Sequence, residues 1–350
     1  MKKPTLRDVA RMAGVSYATA DRVLNARGGV AEKSVLRVRS AIEALGYERD
    51  QQAANLSRRR TYEFLFLLPR GDHSFFRVLG DCVRAQSALR QADRIRITIR
   101  ELPALEPAPL ADELTRLRPE DFDCLALVGI ETPGIALQIE RLAAGGMPVV
   151  TLIGDAAAAA RAAYVGIDNS VAGRTAGRLI RLAHTGRRGR ILPIIGAYTA
   201  RDHRERLDGA RAVLAEAHAG LDILPPLVVQ DRPEVMEHAV SAALAENPDV
   251  TGIYSMGAGN RALIRILAHL PAPRPFVVLH DLTPVTRPGL ERALIDAVID
   301  QRPATEVSTA LDLMRALADG KQIPPDAGQI TPAIYLKDNL PHPGSEKENP

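Results

Sequence analysis

A chain of 350 residues exceeds what one hydrophobic core usually organises, so two or three domains are expected. Its 46% hydrophobic and 25% charged residues exclude a fibrous or wholly disordered chain, and no run approaches the roughly 20 apolar residues a membrane helix needs. The net charge of +3 hides an asymmetry: residues 1–61 hold 13 of the 45 Lys and Arg but 6 of the 42 Asp and Glu, so a basic module precedes a mildly acidic body. That distribution suits phosphate-backbone binding at one end, since Lys and Arg release counterions from a duplex. The start, Met1-Lys2-Lys3-Pro4, has charge but no apolar segment behind it, so no secretory leader is expected and the protein is placed in the cytoplasm, associated with the nucleoid. Cys82 and Cys124, each inside an apolar segment, read as reduced thiols rather than a disulfide framework or metal site.

Thr5 can cap a first helix whose apolar residues Leu6, Val9, Ala10 and Ala13 have helical spacing and which ends at Gly14. Gly14 tolerates a left-handed turn, Val15 can plug a small core, and Ser16 can cap a second helix from about Tyr17 to Leu24. Asn25, Gly28 and Gly29 stop that helix; a third, with Val35, Val38, Ile42 and Leu45 on one face, ends at Gly46. Three short helices, the second following the first across a turn centred on glycine, form the helix-turn-helix plan.

The residues Thr5-Leu6-Arg7-Asp8-Val9-Ala10, Ala13-Gly14-Val15-Ser16, Thr19, Arg22-Val23-Leu24-Asn25 and Gly46-Tyr47 closely resemble the DNA-binding domain of the LacI/GalR family. The resemblance implies that the second helix enters the major groove with Tyr17, Ala18 and Arg22 toward base edges. Arg22 can offer two donors to a guanine, and Ala18 an apolar contact to a thymine methyl. Thr5, Leu6, Ser16, Thr19 and Asn25 belong to the same surface, the polar ones suited to phosphates. Asp21 stands where the family usually has Ser; it is expected to orient Arg22 or, alternatively, to accept from a cytosine amino group. Residues 47–61 match the family's hinge, with Ala53 as the small residue and Leu56 as the wedge that kinks DNA from the minor groove. Arg49-Asp50 and Ala54 depart from that hinge pattern, which leaves a solvated basic linker as the other reading.

Beyond residue 61, short apolar runs at 64–68, 95–101, 124–128, 148–152, 191–195, 252–255, 276–280 and 297–299 alternate with helical periodicity at 134–144, 170–184, 204–217 and 235–247. Such alternation gives parallel sheets covered on both faces, with ligands outside the carboxyl ends of the strands. Leu67-Leu68-Pro69 with Ser74-Phe75-Phe76, Tyr164 through Asn169 with Gly173-Arg174, Arg206-Leu207-Asp208-Gly209, His280 through Thr283 and Ile299-Asp300-Gln301 resemble the type I periplasmic-binding-protein core of LacI/GalR regulators. The implied fold is α/β: a helix-turn-helix domain (1–46), a hinge (47–61), and two Rossmann-like lobes made of residues 62–167 with 301–327 and 168–300 with 328–345. Residues 346–350 form a tail, in a carboxyl-terminal stretch without apolar heptads, so no tetramerising helix is expected.

The implied ligand site lies between the lobes. Phe75, or Phe76 instead, would stack on a sugar ring; Arg206 would donate a fork of hydrogen bonds; Asp155, Asp168 and Asp281 would accept from hydroxyls. Gln301 joins them from the strand end at 299–301, and Asn260 is either a ligand contact or a helix cap. Asp168 reads equally as a helix cap. His73, His203 and His280 lack metal-ligand spacing and read as surface or locally hydrogen-bonded residues. The expected partners are a pseudo-palindromic double-stranded operator, a sugar or polyol effector and a second copy in a homodimer, with no cofactor, metal or membrane. A solute-binding protein of sugar uptake would share the bilobed core but not the basic helices. A dinucleotide enzyme would need a strand-linked G-x-G-x-x-G and a nucleophile with its base, neither of which is found.

Overall fold

Residues 4–24, 28–47, 60–70, 73–104, 106–156, 159–216, 220–257 and 259–342 are described by a computed structural model, in which the chain divides into a unit Met1–Arg60 and a unit Thr61–Pro350. In the first unit, α1 (Leu6–Met12), α2 (Tyr17–Leu24) and α3 (Glu32–Leu45) surround Val9, Ala10, Ala13, Ala20, Val38 and Ala41. Four of these six are alanines, so the short helices approach closely enough to enclose a core with few side chains. Val15 packs against it, as expected for a plug. Gly14 at φ 60° ends α1, with the Val15 amide donating to the Ala10 carbonyl; Gly46 at φ 56° ends α3 the same way, through Tyr47 and Ile42.

The second unit holds two sheets. The first has strand order β12-β5-β4-β3-β1-β2, from β1 (Tyr62–Arg70), β2 (Ile95–Pro103), β3 (Cys124–Val128), β4 (Val149–Leu152), β5 (Ala163–Ile167) and β12 (Gln329–Ile330), all parallel. Along β1, Phe64, Phe66 and Leu68 enter one core while Leu65 and Leu67 enter another, the period-2 pattern of a strand buried on both faces. Helices α4 (Ser74–Leu89), α5 (Pro107–Arg116) and α6 (Pro133–Ala144) follow successive strands.

The second sheet runs β13-β11-β10-β9-β6-β7, from β6 (Gly189–Ile195), β7 (Leu221–Ile223), β9 (Val250–Ser255), β10 (Phe276–His280), β11 (Ala297–Asp300) and β13 (Ala333–Tyr335), with β8 (Leu227–Val228) beside β6. Only β13 is antiparallel. Its helices are α7 (Asn169–Ala183), α8 (Arg201–Ala215), α9 (Pro233–Glu246), α10 (Asn260–His269) and α11 (Arg287–Glu291), whereas α12 (Pro303–Ala318) packs back on α4 and the first sheet. The chain thus crosses between lobes at 167–169, 300–303 and 330–333. The last crossing corrects the expected division at 327: Gln329 and Ile330 still pair with Gly166 and Ile167 of the first lobe.

Candidate functional site

Each cleft residue is set by the strand or helix end that carries it. Asp155 follows β4, Asp231 follows β8, Met256 follows β9, Asp281 follows β10 and Gln301 follows β11, so the carboxyl ends of both sheets face one cavity of about 90 Å³. By the measure on which one water needs roughly 10–15 Å³, that is room for several waters, the scale of a small polyol. Phe75 and Phe76 enter from the first turn of α4, and Arg201, Asp202, His203 and Arg206 from the first turns of α8.

Arg206 is 2% exposed, and its placement depends on α7 and α8 touching through glycine. A Cβ on Gly173 would lie 2.1 Å from the Arg206 carbonyl oxygen, and one on Gly209 2.3 Å from that of Ser170. This contact brings Asn169 Oδ1 to 2.8 Å from Arg206 Nε, while Nη1 donates to the Met256 carbonyl at 2.9 Å. Nη2 lies 3.8 Å from Asp202 and has no hydrogen-bond partner. The expected fork toward ligand is therefore reduced to one nitrogen; the rest of the guanidinium ties the lobe together.

Asp281 adopts φ 68°, in the left-handed region, and its Oδ1 accepts from Gln301 Nε2 at 2.9 Å. Burial pushes its carboxyl up to about 6, against the pull of Arg206 and the Gln301 bond. Gln301 Oε1 is left without a partner. Nearby, Glu306 is fully buried with neither oxygen bonded, and burial together with Asp281 and Asp300 holds it well above the usual carboxylate range.

Asp155 lines the cavity but is engaged by Arg161 at 2.6 and 2.7 Å and by the Thr151 hydroxyl at 2.8 Å. Phe75 is 3% exposed and belongs to the core as well as the cavity wall, whereas Phe76 is half-buried and lies 4.4 Å, ring to ring, from His73. Two expected ligand contacts stand elsewhere. Asp168 caps α7, accepting from the Val171 amide at 3.0 Å, and faces a separate pocket with Arg161 and Asp326. Asn260 is held by Ser255 and by the Gly257 carbonyl and lies outside the central cavity.

The sequence reading missed His73, Asp202, His203 and Asp231, which line the cavity. His203 and His280, read as surface or locally hydrogen-bonded residues, are buried and locally bonded, His203 Nδ1 accepting from the Gly196 amide at 3.2 Å and His280 pairing with the Tyr254 hydroxyl at 2.8 Å. Burial holds His73 below the usual histidine range despite Asp231 at 3.9 Å, and its Nδ1 has no partner. Burial opposes ionisation of Asp202, but His203 and Arg206 outweigh it and keep the carboxyl below its ordinary value. The available signal was position: His73 and Asp231 each follow a first- or second-sheet strand by a few residues, and Asp202 is one helical turn before Arg206.

In the helical unit, Tyr17, Ala18 and Arg22 are exposed on one side of α2 while Ala20 is buried on the other. The Ser16 hydroxyl accepts from the Thr19 amide at 3.1 Å and pairs with its hydroxyl, capping α2. Thr5 gives both its amide and its hydroxyl to Asp8, and Leu6 is half-buried against the core, so Leu6 serves packing. Asp21 is half-buried on the same helix. Asn25, Ala53 and Leu56 lie outside the described residues.

A family model described as "Periplasmic binding protein domain" matches residues 64–322, and one described as "Bacterial regulatory proteins, lacI family" matches residues 5–50. The regulator GalR of Escherichia coli K12 is 25% identical over 356 residues, covering 98% of this chain and 97% of that one. DegA of Bacillus subtilis 168 is 27% identical over 233 residues, 66% of each chain. The fold is also that of GanP, a glucose-galactose binding protein from Geobacillus stearothermophilus, at a TM-score of 0.71 and 20% identity over 81% of this chain and 99% of that one. A three-helix unit with an outward recognition face, joined to a bilobed core with a cleft at its strand ends and matched over both parts, places the chain in the LacI/GalR family of DNA-binding, sugar-responsive transcriptional regulators.

Proposed function

We propose that the chain is a cytoplasmic repressor that binds a pseudo-palindromic operator as a homodimer and responds to a sugar or polyol held in the cleft, without catalysing a reaction. The observation that carries the ligand reading is the set of unfilled hydrogen-bonding atoms on residues lining the cavity: Arg206 Nη2, His73 Nδ1 and Gln301 Oε1, two of them on residues in direct reach of the carboxyls of Asp202 and Asp281. Buried polar atoms without partners are rare in folded proteins and call for an occupant. With Phe75 and Phe76 as an apolar floor, the arrangement suits a ring bearing several hydroxyls. GanP, by its description, binds glucose and galactose, which agrees with this chemistry.

The dimer follows from the size of the reading surface. Three short helices present few base contacts, and specific binding by such a unit uses two half-sites about one helical turn apart. Sedimentation should give a dimer at micromolar concentration; a monomer that binds DNA one chain per site contradicts the assembly. Screening pentoses, hexoses and polyols by thermal shift should reveal a stabilising ligand, since binding to the native state raises its melting temperature. Absence of any shift in wild type, or a shift unchanged in Gln301→Ala, refutes the cleft as the sensor site.

A further inference from the structure

Glu306 stands in the first turn of α12, just after the chain crosses between lobes at 300–303. Its neighbours Val307, Ala310, Leu311 and Met314 pack against α4 and the first sheet, so Glu306 moves with the first lobe. The charges that act on it belong to the second: Asp281 and Asp300 oppose its ionisation, and Arg206 favours it less strongly. The side chain is wholly buried, and neither carboxyl oxygen finds a hydrogen-bond donor.

The carboxyls around it are held, and Glu306 is not. Asp300 accepts from the Leu282 and Arg302 amides, each at 2.7 Å, and Asp281 accepts from Gln301 at 2.9 Å. Arg206 is committed through Nε to Asn169 and through Nη1 to the Met256 carbonyl. The other elements packed on α12 bring it no charge. α4 presents Phe75, Leu79 and Val83, and the strands of the first sheet present apolar residues with Tyr62, Cys124 and Tyr164, whose protons burial makes harder to remove. The ion pairs Arg90–Asp312 and Arg315–Asp93 lie farther along the helix. A carboxylate in such surroundings either keeps its proton or forces the structure to admit water.

The crossing next to it is where the structure can yield. Arg302 adopts φ 62°, a left-handed setting that a residue with a side chain takes only when its surroundings hold it there. Its amide donates to Asp300 and its carbonyl accepts from the Glu306 amide at 3.0 Å, so one short chain of hydrogen bonds links both carboxyl-bearing residues to the strained link between lobes.

We propose that Glu306 is a proton-operated latch on the lobe setting: protonated, it lets the two lobes rest together as they do here, and on releasing its proton to solvent it drives them apart. This goes beyond the effector reading, since it needs only the two lobes and the crossing. The proton is bound in the closed setting and given up in the open one, so rising pH favours opening, and by linkage whatever closes the lobes takes up a proton.

The test is the interlobe distance in the full-length, effector-free protein as a function of pH. Spin labels are placed on Leu137→Cys in α6 and Leu182→Cys in α7, 61% and 64% exposed and one in each lobe, in a Cys82→Ser background; Cys124 is wholly buried and stays. Labelled chains are diluted with unlabelled ones, so that only distances within one protomer are read. Between about pH 5 and about pH 9 the distance distribution of this parent should shift reversibly to a second population. Glu306→Gln, which keeps the shape but cannot ionise, should hold the low-pH distribution throughout, and Glu306→Met should do the same. Melting temperature should fall with rising pH more steeply in the parent than in Glu306→Gln. A parent whose distances do not move with pH, a Glu306→Gln variant that moves as the parent does, or equal pH dependence of melting in the two overturns the latch. Asp281→Asn removes the other carboxyl that burial raises; if it abolishes the shift and Glu306→Gln does not, the proton belongs to Asp281 and the proposal falls.

Discussion

Asp281 is the residue whose chemistry is most exposed to measurement. Its carboxyl takes a proton near pH 6 rather than 3.8, so between those values the folded state binds more protons than the unfolded one, and stability falls as pH rises through that window. Above it the loss is complete, on the order of 1–3 kcal/mol. The Asp281→Asn variant keeps an oxygen for Gln301 but carries no charge. It should therefore be more stable than wild type at about pH 8, with the difference closing toward about pH 4; a difference that is the same at both ends of that range shows that the carboxylate is not strained by burial. At the other end of the chain, Arg22 stands exposed on α2, with no ion pair among the described residues. Arg22→Ala should reduce discrimination at one base pair in each half-site by roughly 1–3 kcal/mol, whereas loss of Lys2 or Lys3 should weaken all sequences alike. Uniform weakening by Arg22→Ala across operator variants would remove it from the base readers. Asp281 was legible in the sequence because a carboxylate closing the run 276–280 has no turn glycine to explain it. His73, Asp202 and Asp231 were not, because each sits where a short polar loop or helix start is ordinary and only the closure of two lobes brings them together.

At the scale of elements, the long buried strands and the amphipathic helices were readable from periodicity, since strands buried on both faces show as unbroken apolar runs. The strands that escaped are β5, five residues long and interrupted by Tyr164 and Gly166, and β7, β8, β12 and β13, which are two or three residues long and are held by pairing rather than by their own pattern. β12 shows the consequence: nothing in Gln329-Ile330 says which sheet it joins, and its pairing with β5 moved the last crossing beyond residue 327. Glycine made a stronger statement than its sequence context suggested. The α7–α8 crossing at Gly173 and Gly209 has no room for a side chain, and it fixes Asn169 against Arg206. Gly209→Ala should cost about 1–3 kcal/mol by overpacking, read as a lower urea midpoint, and should weaken effector binding as Arg206 shifts. An unchanged midpoint would mean that the helices separate freely and do not position the arginine.

For the whole molecule, the proposed function requires one equilibrium to be biased from both ends. The cavity is lined from both lobes, by Phe75 and Phe76 from the first and by Arg206, Asp281 and Gln301 from the second, so on the proposed function a bound sugar would favour one relative lobe setting. In the proposed dimer the lobe setting would set the spacing of the two chains at Thr61, and thereby operator affinity. A ligand shifts such an equilibrium only by its different affinity for the two states, and the operator must change effector affinity by the same factor. The most direct test is operator affinity with and without the sugar or polyol found by screening, in wild type and in Asp281→Ala. Wild type should change its operator affinity by about 5- to 150-fold, with release by the effector as the expected sign, and the variant should bind operator as wild type does but no longer respond; a variant that responds normally would show that the cleft is not the sensor.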